Sequence, residues 1–309
     1  MGERVVILVN PVATRMSKHL LTDVRAAFEG ADHVDMFTTK RREHALELAR
    51  TAMENDATIV AVVGGDGTVS DTAGALAGSS TALLPVAAGS TNVFARALGW
   101  PHPARRALPA IRRAVATPVR REVHLGRFTT SQGDRTFVVN AGFGIDADTV
   151  QIVESRPWIK RRLRHVGIGT VALANALRFT QPSSADITVD DQETDTFSSL
   201  MVVTGSPWTY VGSRPIDLVP GATFDGRLRW LGIRRNRADV LATVLHGAMQ
   251  SDGRHLGSRG VRDGWAHRIT VHADQPIAFQ ADGEPMGWHR DATITVGPTL
   301  TVIVPGTDD

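Results

Sequence analysis

One segment of the sequence combines residue types that together can hold and transfer a phosphate group. The run Gly64-Gly65-Asp66-Gly67-Thr68 follows an apolar stretch, residues 58–63, and precedes a helical pattern over residues 69–76. Glycines let a backbone approach a phosphate closely, and the amides at a helix N-terminus suit an anion. An aspartate among those amides suits a role with Mg²⁺ or with a hydroxyl proton beside the phosphates. The alternative is a glycine-rich turn capped by the aspartate; we favour the phosphate site because strand, turn and helix follow in the required order.

Three further strand ends carry small polar residues or glycine. Asn10 and Pro11 follow the first predicted strand, Thr39 follows the second, and the run PVAAGSTN at residues 85–92 follows the fourth. Each of them alone is commonly plain turn chemistry. Parallel strands, however, end at one edge of their sheet, and ligands bind at that edge in this architecture. The four strand ends together therefore predict one nucleotide crevice.

The elements that must position these residues alternate between strand and helix. Apolar, β-branched runs predict strands, with helical patterns between them, at residues 4–9, 34–38, 58–63 and 83–86. This alternation predicts a doubly wound α/β nucleotide-binding domain over residues 1–122. Short strands between turn residues, among them residues 135–140, 267–272 and 277–281, predict a β-rich, sandwich-like second domain over residues 123–309. Helices predicted at 145–176 and 237–250 interrupt it. The last predicted strand, residues 300–304, could belong to either domain.

The composition limits the binding partners and the cellular location that we expect for this protein. The absence of cysteine excludes disulfides and sulfur-ligated metals, and a formal charge of +2 argues against a nucleic-acid-binding protein. No run approaches the roughly 20 apolar residues of a membrane span, and the N-terminus lacks the pattern of a signal peptide. We therefore expect a cytoplasmic protein, at most peripheral on the inner face of the membrane. The oligomeric state stays open, with a homodimer among the alternatives.

One segment offers a way to reach a membrane surface. Residues 158–164 (WIKRRLR) are basic and aromatic, and residues 166–177 continue as an apolar helical pattern. A helix of this kind can rest at a membrane interface. A helix packed on the second domain with an exposed basic first turn explains the pattern equally well, so both interpretations stay open.

Five motifs, in order, resemble those of the diacylglycerol kinase catalytic-domain family, which includes bacterial lipid kinases and the sphingosine and ceramide kinases. They are residues 64–68 (GGDGT), 85–96 (PVAAGSTNVFAR), 140–147 (NAGFGIDA), 225–228 (DGRL) and 282–284 (DGE). The set spans nearly the whole chain and is more specific than GGDGT, which NAD kinases and phosphofructokinases share. The resemblance implies a two-domain lipid kinase fold. It also implies transfer of the γ-phosphate of ATP to a lipid hydroxyl, with diacylglycerol, which would give phosphatidic acid, as the default acceptor.

The resemblance also implies the site residues and the cofactors, ATP and Mg²⁺. The implied ATP-binding residues are Asn10, Pro11, Thr39, Gly64, Gly65, Asp66, Gly67, Thr68, Val69, Ser70, Gly89, Ser90 and Asn92. Glu284 corresponds to the general base that takes the proton of the lipid hydroxyl, and Asp66 is the second catalytic residue. Asp225 matches an aspartate that holds a structural Mg²⁺ together with backbone carbonyls, here those of Ala222 and Arg227.

Three positions depart from the family pattern. Val93 and His124 replace aspartates, and Asp71 replaces a glutamate. The loss of two carboxylates near an Mg²⁺-assisted site leaves the metal arrangement open. We favour an active lipid kinase, because the other implied acidic residues are kept. Two alternatives remain: a kinase of a soluble substrate, similar to the NAD kinases, and a nucleotide- or lipid-binding regulator without catalysis.

Overall fold

The computed structural model describes residues 3–41, 43–155 and 184–306. The chain divides into two compact units, the first made of Met1–Val123 and Pro298–Asp309 and the second of His124–Gly297. The basic segment at residues 158–164 and the apolar pattern at 166–177 lie outside the described residues. Within the described ranges, no helix has the length and apolar character needed to cross a membrane.

The first unit is a parallel sheet with helices packed against it. Its strands are β1 (Arg4–Val9), β2 (His33–Thr38), β3 (Ile59–Gly64) and β4 (Ala82–Ala87). Its helices are α1 (Lys18–Ala27), α2 (His44–Glu54), α3 (Asp66–Leu76), α4 (Val93–Ala97) and α5 (Ala104–Ala116). Strands β3 and β4 are buried along their whole length, which explains their unbroken apolar sequences.

The strand order creates a crevice between β1 and β3. The order across the sheet is β4, β3, β1, β2, and each neighbouring pair is parallel. The chain runs outward from β1 to β2 and then returns past β1 to β3 and β4. Because such crossovers are right-handed, this reversal sends α1 and α3 to opposite faces of the sheet; α1 packs on α5, and α2 packs on α3. The point of reversal, at the carboxyl ends of β1 and β3, is where such folds bind ligands.

The second unit is built mainly of antiparallel strands. In chain order the strands are β5 (Val119–Thr130), which begins in the first unit, β6 (Gly133–Phe137), β7 (Asn140–Phe143), β8 (Ala185–Val189), β9 (Thr194–Phe197), β10 (Ser199–Val203), β11 (Thr209–Val211), β12 (Arg214–Ile216), β13 (Leu228–Ile233), β14 (Val261–Ala266), β15 (Arg268–Ala281) and β16 (Glu284–Val304). Helices α6 (Ile145–Ser155) and α7 (Ala238–Gln250) accompany them. The main path of pairing runs β14, β13, β10, β7, β15, β16.

Two hydrophobic cores lie on opposite faces of β10 and β13. Along β10, Leu200 and Val202 belong to one core, whereas Met201 and Val203 belong to the other, as the two-residue period of a strand requires. The first core is rich in aromatic side chains, namely Phe128, Phe137, Phe143, Phe197, Trp230 and Phe279. The second core lies under α7. This unit is therefore layered, and both faces of its central strands are buried.

The end of β16 is part of the first unit. Val302 pairs in parallel with Leu83 of β4, and Leu300, Val302 and Ile303 are fully buried. The indole Nε1 of Trp100 donates to the Ile303 carbonyl at 3.1 Å. The last strand therefore completes the parallel sheet.

Several element boundaries differ from the sequence prediction. Helix α3 begins at Asp66, so the second half of the GGDGT run forms its first turn. The single strand predicted at residues 135–140 is two strands, β6 and β7, because Asp282 binds the backbone amides between them. The strands predicted at residues 267–272 and 277–281 are one bulged strand, β15. The helix predicted over residues 145–176 is described only as far as Ser155.

Candidate functional site

Two glycine loops meet at the carboxyl edge of the first unit's sheet. Gly65 lies between β3 and α3, and Gly89 follows β4. A Cβ atom at Gly89 would lie 2.6 Å from the Cα atom of Gly65, so a side chain there would force the loops apart. Gly65 is the N-cap of α3, and no side chain caps this helix end. The loops therefore present a bare backbone surface beside a helix N-terminus, which is the arrangement that accepts a phosphate.

Asn92 fixes the second glycine loop. Its Oδ1 accepts from the Gly89 amide at 2.8 Å and its Nδ2 donates to the Gly89 carbonyl at 2.9 Å, while its own φ is 54°. The Nδ2 atom also lies 3.3 Å from Nδ1 of His102. Burial, together with the charges of three nearby arginines, lowers the pKa of His102 to about 4, so a neutral imidazole can accept this bond at neutral pH. The Asn92 amide thus shapes the loop, and the sequence contained no signal for its partner His102.

Asn10 joins the ends of β1 and β3. Its backbone amide donates to the Val63 carbonyl at 2.9 Å, and its Nδ2 donates to Oγ1 of Thr68 at 2.8 Å. Its Oδ1 in turn accepts from the Val12 amide at 3.1 Å. Because the Thr68 oxygen acts as an acceptor here, its hydroxyl proton remains available to a further acceptor such as a phosphate oxygen.

The carboxylate of Asp66 links the two helices that begin at this edge. Asp66 is the first residue of α3 and is half-buried. Its Oδ1 accepts from the amide of Phe94, in the first turn of α4, at 3.4 Å. Carboxylate oxygens are ligands that Mg²⁺ prefers, so Asp66 is the residue at this edge that would hold an Mg²⁺ bound to a phosphate.

The other predicted nucleotide residues differ in how they take part. Pro11 and Ser90 are exposed, whereas Thr39 is buried and its amide donates to the Val9 carbonyl at 2.9 Å. Val69 and Ser70 are buried in the first unit, which indicates that they hold α3 in place. The structure brings together Asn10, Gly64, Gly65, Asp66, Gly67, Thr68, Gly89 and Asn92.

Glu284 lies in the second unit, at the start of β16. Its Oε2 is 2.9 Å from Nη2 of Arg135 on β6, and the two side chains are 26% and 32% exposed. The guanidinium therefore orients a carboxylate that solvent can still reach. Sequence reasoning did not identify Arg135, because nothing in the local pattern of β6 distinguishes it from the other arginines.

The turn before Glu284 is held by a buried polar network. Asp282, at a φ of 51°, accepts from the amides of Val138 and Val139 at 2.8 Å each and from that of Asn140 at 3.2 Å. Gln280, fully buried, donates to Asn140 Oδ1 at 2.8 Å and accepts from the Gly283 amide at 2.9 Å. Besides the motifs that contain Asn140 and Asp282, the glutamine within an apolar strand was the sequence signal for this network.

Asp225, the carboxylate of the predicted structural metal site, pairs with the side chain of Arg227. Oδ2 of Asp225 lies 3.1 Å from Nη2 of Arg227, and its Oδ1 accepts from the Arg227 amide at 3.3 Å. Burial acts to raise the pKa of Asp225, but the hydrogen bonds and charge of Arg227 outweigh it and hold that pKa below its ordinary value. The Arg227 guanidinium also stacks 4.4 Å from the centroid of the Trp265 ring.

A carboxylate with backbone carbonyls has the donor chemistry that Mg²⁺ prefers. Asp225, with the backbone carbonyls of Ala222 and Arg227, stays the predicted ligand set of a structural Mg²⁺; the exposed guanidinium of Arg227 would have to leave the Asp225 carboxylate for the ion to bind. In the part of the chain that the structure describes, no three His, Asp or Glu side chains group in a way that could hold a metal ion. No chemical step is therefore assigned to a cation at Asp225.

The departures from the family pattern have distinct surroundings. Val93, the first residue of α4, is buried. The ring of His124 lies against Gly226, where a Cβ atom would be 3.2 Å from Nε2, and its Nδ1 is buried without a hydrogen-bond partner among the described residues. Asp71 is half-buried within α3.

Comparison with known proteins identifies the two units. The diacylglycerol kinase catalytic domain family matches residues 4–121, and the YegS C-terminal NAD kinase beta sandwich-like domain family matches residues 138–304. No curated protein sequence matches the chain.

Many solved structures share the fold, and three of them illustrate the range of similarity. A candidate diacylglycerol kinase from Bacillus anthracis str. Sterne superposes with a TM-score of 0.76 at 20% identity, over 98% of this chain and 97% of its own. A diacylglycerol kinase structure from the same organism gives a TM-score of 0.70 at 20% identity, with the same coverage. An NAD kinase from Archaeoglobus fulgidus in complex with ATP gives 0.54 at 11% identity, over 97% and 94% of the chains.

These comparisons confirm the predicted fold class, an α/β domain followed by a β-sandwich-like domain. The motifs of the sequence and the matched families, which together account for most of the chain, also agree with each other. The chain belongs to the diacylglycerol kinase catalytic-domain family.

Proposed function

We propose that this family member is an ATP-dependent lipid kinase that transfers the γ-phosphate of ATP to a lipid hydroxyl. Family membership makes it a phosphotransferase of the NAD kinase-like superfamily. Diacylglycerol, which would become phosphatidic acid, is the proposed acceptor. The observation that carries the proposal is the side-chain-free contact of Gly65 and Gly89 beside the uncapped N-terminus of α3, with Asp66 in its first turn.

The first unit would bind the nucleotide through its backbone. The amides at the start of α3 and the two glycine loops suit the β- and γ-phosphates, and the Thr68 hydroxyl suits a phosphate oxygen. Asp66 would hold the Mg²⁺ that accompanies ATP and offsets the charge developing during transfer. The ATP seen with the Archaeoglobus fulgidus NAD kinase supports this assignment by similarity of fold.

Glu284 would act on the acceptor. In the proposed step the lipid hydroxyl oxygen forms a bond to the γ-phosphorus, the bond to the bridging oxygen breaks, and ADP leaves. Glu284 takes the hydroxyl proton as general base. The ion pair with Arg135 and the turn anchored by Asp282 orient the Glu284 carboxylate for this role. We further propose peripheral attachment to the inner face of the membrane, where such a lipid resides.

A regulator without catalysis is the second candidate, and one observation favours it. The buried Val93 and the partly buried His124 provide no carboxylates at positions where relatives have aspartates. Such a protein would bind ATP and transfer nothing. A kinase of a soluble acceptor such as NAD is the third candidate, motivated by the shared fold.

The decisive experiment is a γ-phosphate transfer assay on the full chain. Radiolabelled ATP and Mg²⁺ are offered with diacylglycerol, ceramide or sphingosine in mixed micelles, and separately with NAD in solution. The variants are Asp66→Ala and, as a matched control in the same unit, Asp32→Ala, which removes an exposed carboxylate.

We expect label in one lipid, lost in Asp66→Ala and retained in Asp32→Ala. Label in NAD alone would replace the lipid kinase with a soluble-substrate kinase. ATP binding with no label in any acceptor would favour the regulator and refute transfer.

A further inference from the structure

A pocket of about 480 Å³ lies in the second unit and uses none of the residues discussed above. Two chain segments line it, one from the end of β13 into α7 and the other, Ser258 to Gly260, before β14. The Arg234 amide donates to the Gly260 carbonyl at 2.9 Å, which ties the two segments together. This bond holds the two lining segments side by side.

The lining of this pocket is strongly positive. It contains a single carboxylate, that of Asp239, and four arginines, Arg234, Arg235, Arg237 and Arg259. Arg234 pairs with Asp195 at 2.6 Å, and Arg237 pairs with Asp239 at 3.0 Å. Arg235 and Arg259 are exposed and form no ion pair with any described residue.

The acids around the pocket do not balance its arginines. Asp195 also pairs with Arg262, so one carboxylate serves two guanidinium groups. Glu193 is the further acid near Arg262. Arg235 and Arg259, which line the pocket and are exposed, therefore keep planar donors and charge for which bidentate binding of an oxyanion is a suitable interaction.

A hydroxyl inside the pocket also lacks a partner. The Oγ atom of Ser258 is buried and forms no hydrogen bond with any residue that the structure describes. Buried hydroxyl groups in native proteins are nearly always satisfied, so an unsatisfied one that lines a pocket indicates a missing acceptor or donor. A ligand oxygen would satisfy it.

The pocket already accommodates one anionic group of the chain itself. Asp239, in the first turn of α7, accepts hydrogen bonds from Arg237 and from the Val240 amide, and these lower its pKa. An external oxyanion would meet the same donors and would be repelled by this carboxylate. Removal of the Asp239 charge should therefore strengthen oxyanion binding, whereas removal of the arginine charges should weaken it.

We propose that this arginine pocket binds a phosphate group, either the phosphomonoester headgroup of an anionic lipid or free phosphate. Arg235 and Arg259 supply the charge and the Ser258 hydroxyl supplies a neutral hydrogen bond. The volume leaves room for a headgroup beyond the phosphate itself. This site stands on the second unit alone and does not depend on the proposed kinase activity.

The first measurement is calorimetric titration of the full chain with inorganic phosphate at constant ionic strength. The pocket variant carries Arg235→Gln and Arg259→Gln. The control carries Arg254→Gln and Arg290→Gln, two exposed arginines of the same unit that lie outside the pocket. We expect the pocket variant to lose about tenfold or more in affinity and the control to stay within about twofold of the wild type.

The second measurement separates the two sources of phosphate. Vesicles of phosphatidylcholine alone or with phosphatidic acid are sedimented with each protein. Binding to the phosphatidic acid vesicles that falls in the pocket variant and not in the control identifies a lipid headgroup. If phosphate binds in the calorimeter but the wild type, the pocket variant and the control bind phosphatidic acid vesicles equally, the ligand is free phosphate.

Asp239→Asn should raise the phosphate affinity by severalfold. A folding defect would lower the affinity, so it cannot produce this result. The proposal is overturned if the wild type does not bind phosphate, or if the control loses as much affinity as the pocket variant. It is equally overturned if Asp239→Asn weakens phosphate binding.

Discussion

At the residue scale, most polar side chains of the candidate nucleotide site act on the backbone. Asn10 binds Thr68 and the start of the following loop, and Asn92 binds both backbone polar groups of Gly89. The side-chain amide groups of Asn10 and Asn92 are therefore already hydrogen-bonded within the protein. The groups left to meet a phosphate are main-chain amides and the Thr68 hydroxyl, which is why glycine at two positions matters more than any amide side chain.

Gly89→Ala should disrupt this site. The new Cβ would lie 2.6 Å from the Gly65 Cα, which is backbone and cannot rotate away. We expect a loss of about 1–3 kcal/mol in the free energy of unfolding, together with weaker ATP binding. Urea unfolding and ATP titration measure both. Gly30→Ala is the control, because nothing lies within 4 Å of a Cβ there; equal effects in the two variants would contradict the packing argument.

Glu284→Gln tests the proposed general base. The amide keeps the size of the side chain but cannot accept the proton, so kcat should fall by about 10²–10⁴-fold while ATP affinity is unchanged. The transfer assay gives kcat, and equilibrium titration gives the affinity for ATP. Glu193→Gln, an exposed residue of the same unit, serves as the control. Full activity in Glu284→Gln would remove the residue from the mechanism.

Asp146 provides a pH dependence of stability. It lies in the first turn of α6, and burial raises its pKa from the ordinary value near 3.8 to about 7. As pH rises from about 4 to 7, the unfolded chain loses this proton first, so the folded state is progressively destabilised; above about pH 7 the penalty is constant. Asp146→Asn should remove the penalty.

The measurement is urea unfolding of wild type and Asp146→Asn at about pH 4.5 and pH 8. The gain in unfolding free energy from the substitution should be larger at the higher pH. A difference that does not change with pH would show that the carboxyl ionises normally in the folded chain.

At the scale of elements, the turn between β15 and β16 depends on contacts distant in sequence. Asp282 and Gly283 have positive φ, and the Asp282 carboxylate accepts three amides from the junction of β6 and β7. The side chain of Asp282 thus joins its own turn, between β15 and β16, to the junction between β6 and β7. The position of Glu284 follows from this anchor.

Asp282→Ala should therefore destabilise more than its partial exposure suggests. It would leave three amides without their acceptor and retain the left-handed backbone, so we expect a loss of about 2–4 kcal/mol in unfolding free energy. Chemical denaturation measures it. Asp134→Ala, at an aspartate of β6 that is 58% exposed, should change stability by less than about 0.5 kcal/mol. Similar losses in both variants would contradict the anchoring role.

At the scale of the whole molecule, the chain leaves the first unit and returns to it. Residues 298–309 belong to the same compact unit as Met1–Val123. The buried Leu300, Val302 and Ile303 cover the open side of β4. The first unit therefore cannot complete its core until the end of the chain is made.

Truncation after Gly297 should unfold the first unit. The deletion removes a buried strand and the hydrogen bond of the Trp100 indole to Ile303. We expect the truncated chain to lose ATP binding and cooperative thermal unfolding. Calorimetry measures the first property and circular dichroism the second. Removal of only the last three residues is the control and should leave both properties intact. An ATP-binding, cooperatively folded product of the longer deletion would refute the assignment of the strand.

The sequence by itself determined the local elements and the family. Unbroken apolar runs fixed β1, β3 and β4, because a strand buried on both faces needs no polar alternation. The motifs around Asp66, Asn92, Asp225 and Glu284 identified the family. Each motif is a run of adjacent residues, so it can be recognised in the sequence without the fold. Strand ends also predicted one ligand-binding edge, because parallel strands share their direction.

Only the tertiary structure decided which side chains meet. The bond of Asn10 to Thr68, the anchoring of Asp282, the pairing of Glu284 with Arg135 and the ion pair of Asp225 with Arg227 depend on side-chain placement. Three of these four join residues more than 50 positions apart. Periodicity reports which face of an element is buried and carries no information about the partner across it. For the same reason the sequence did not predict the arginine pocket: Arg234, Arg235 and Arg237 form a basic cluster in sequence, and only the folding of a second segment brings Arg259 to them.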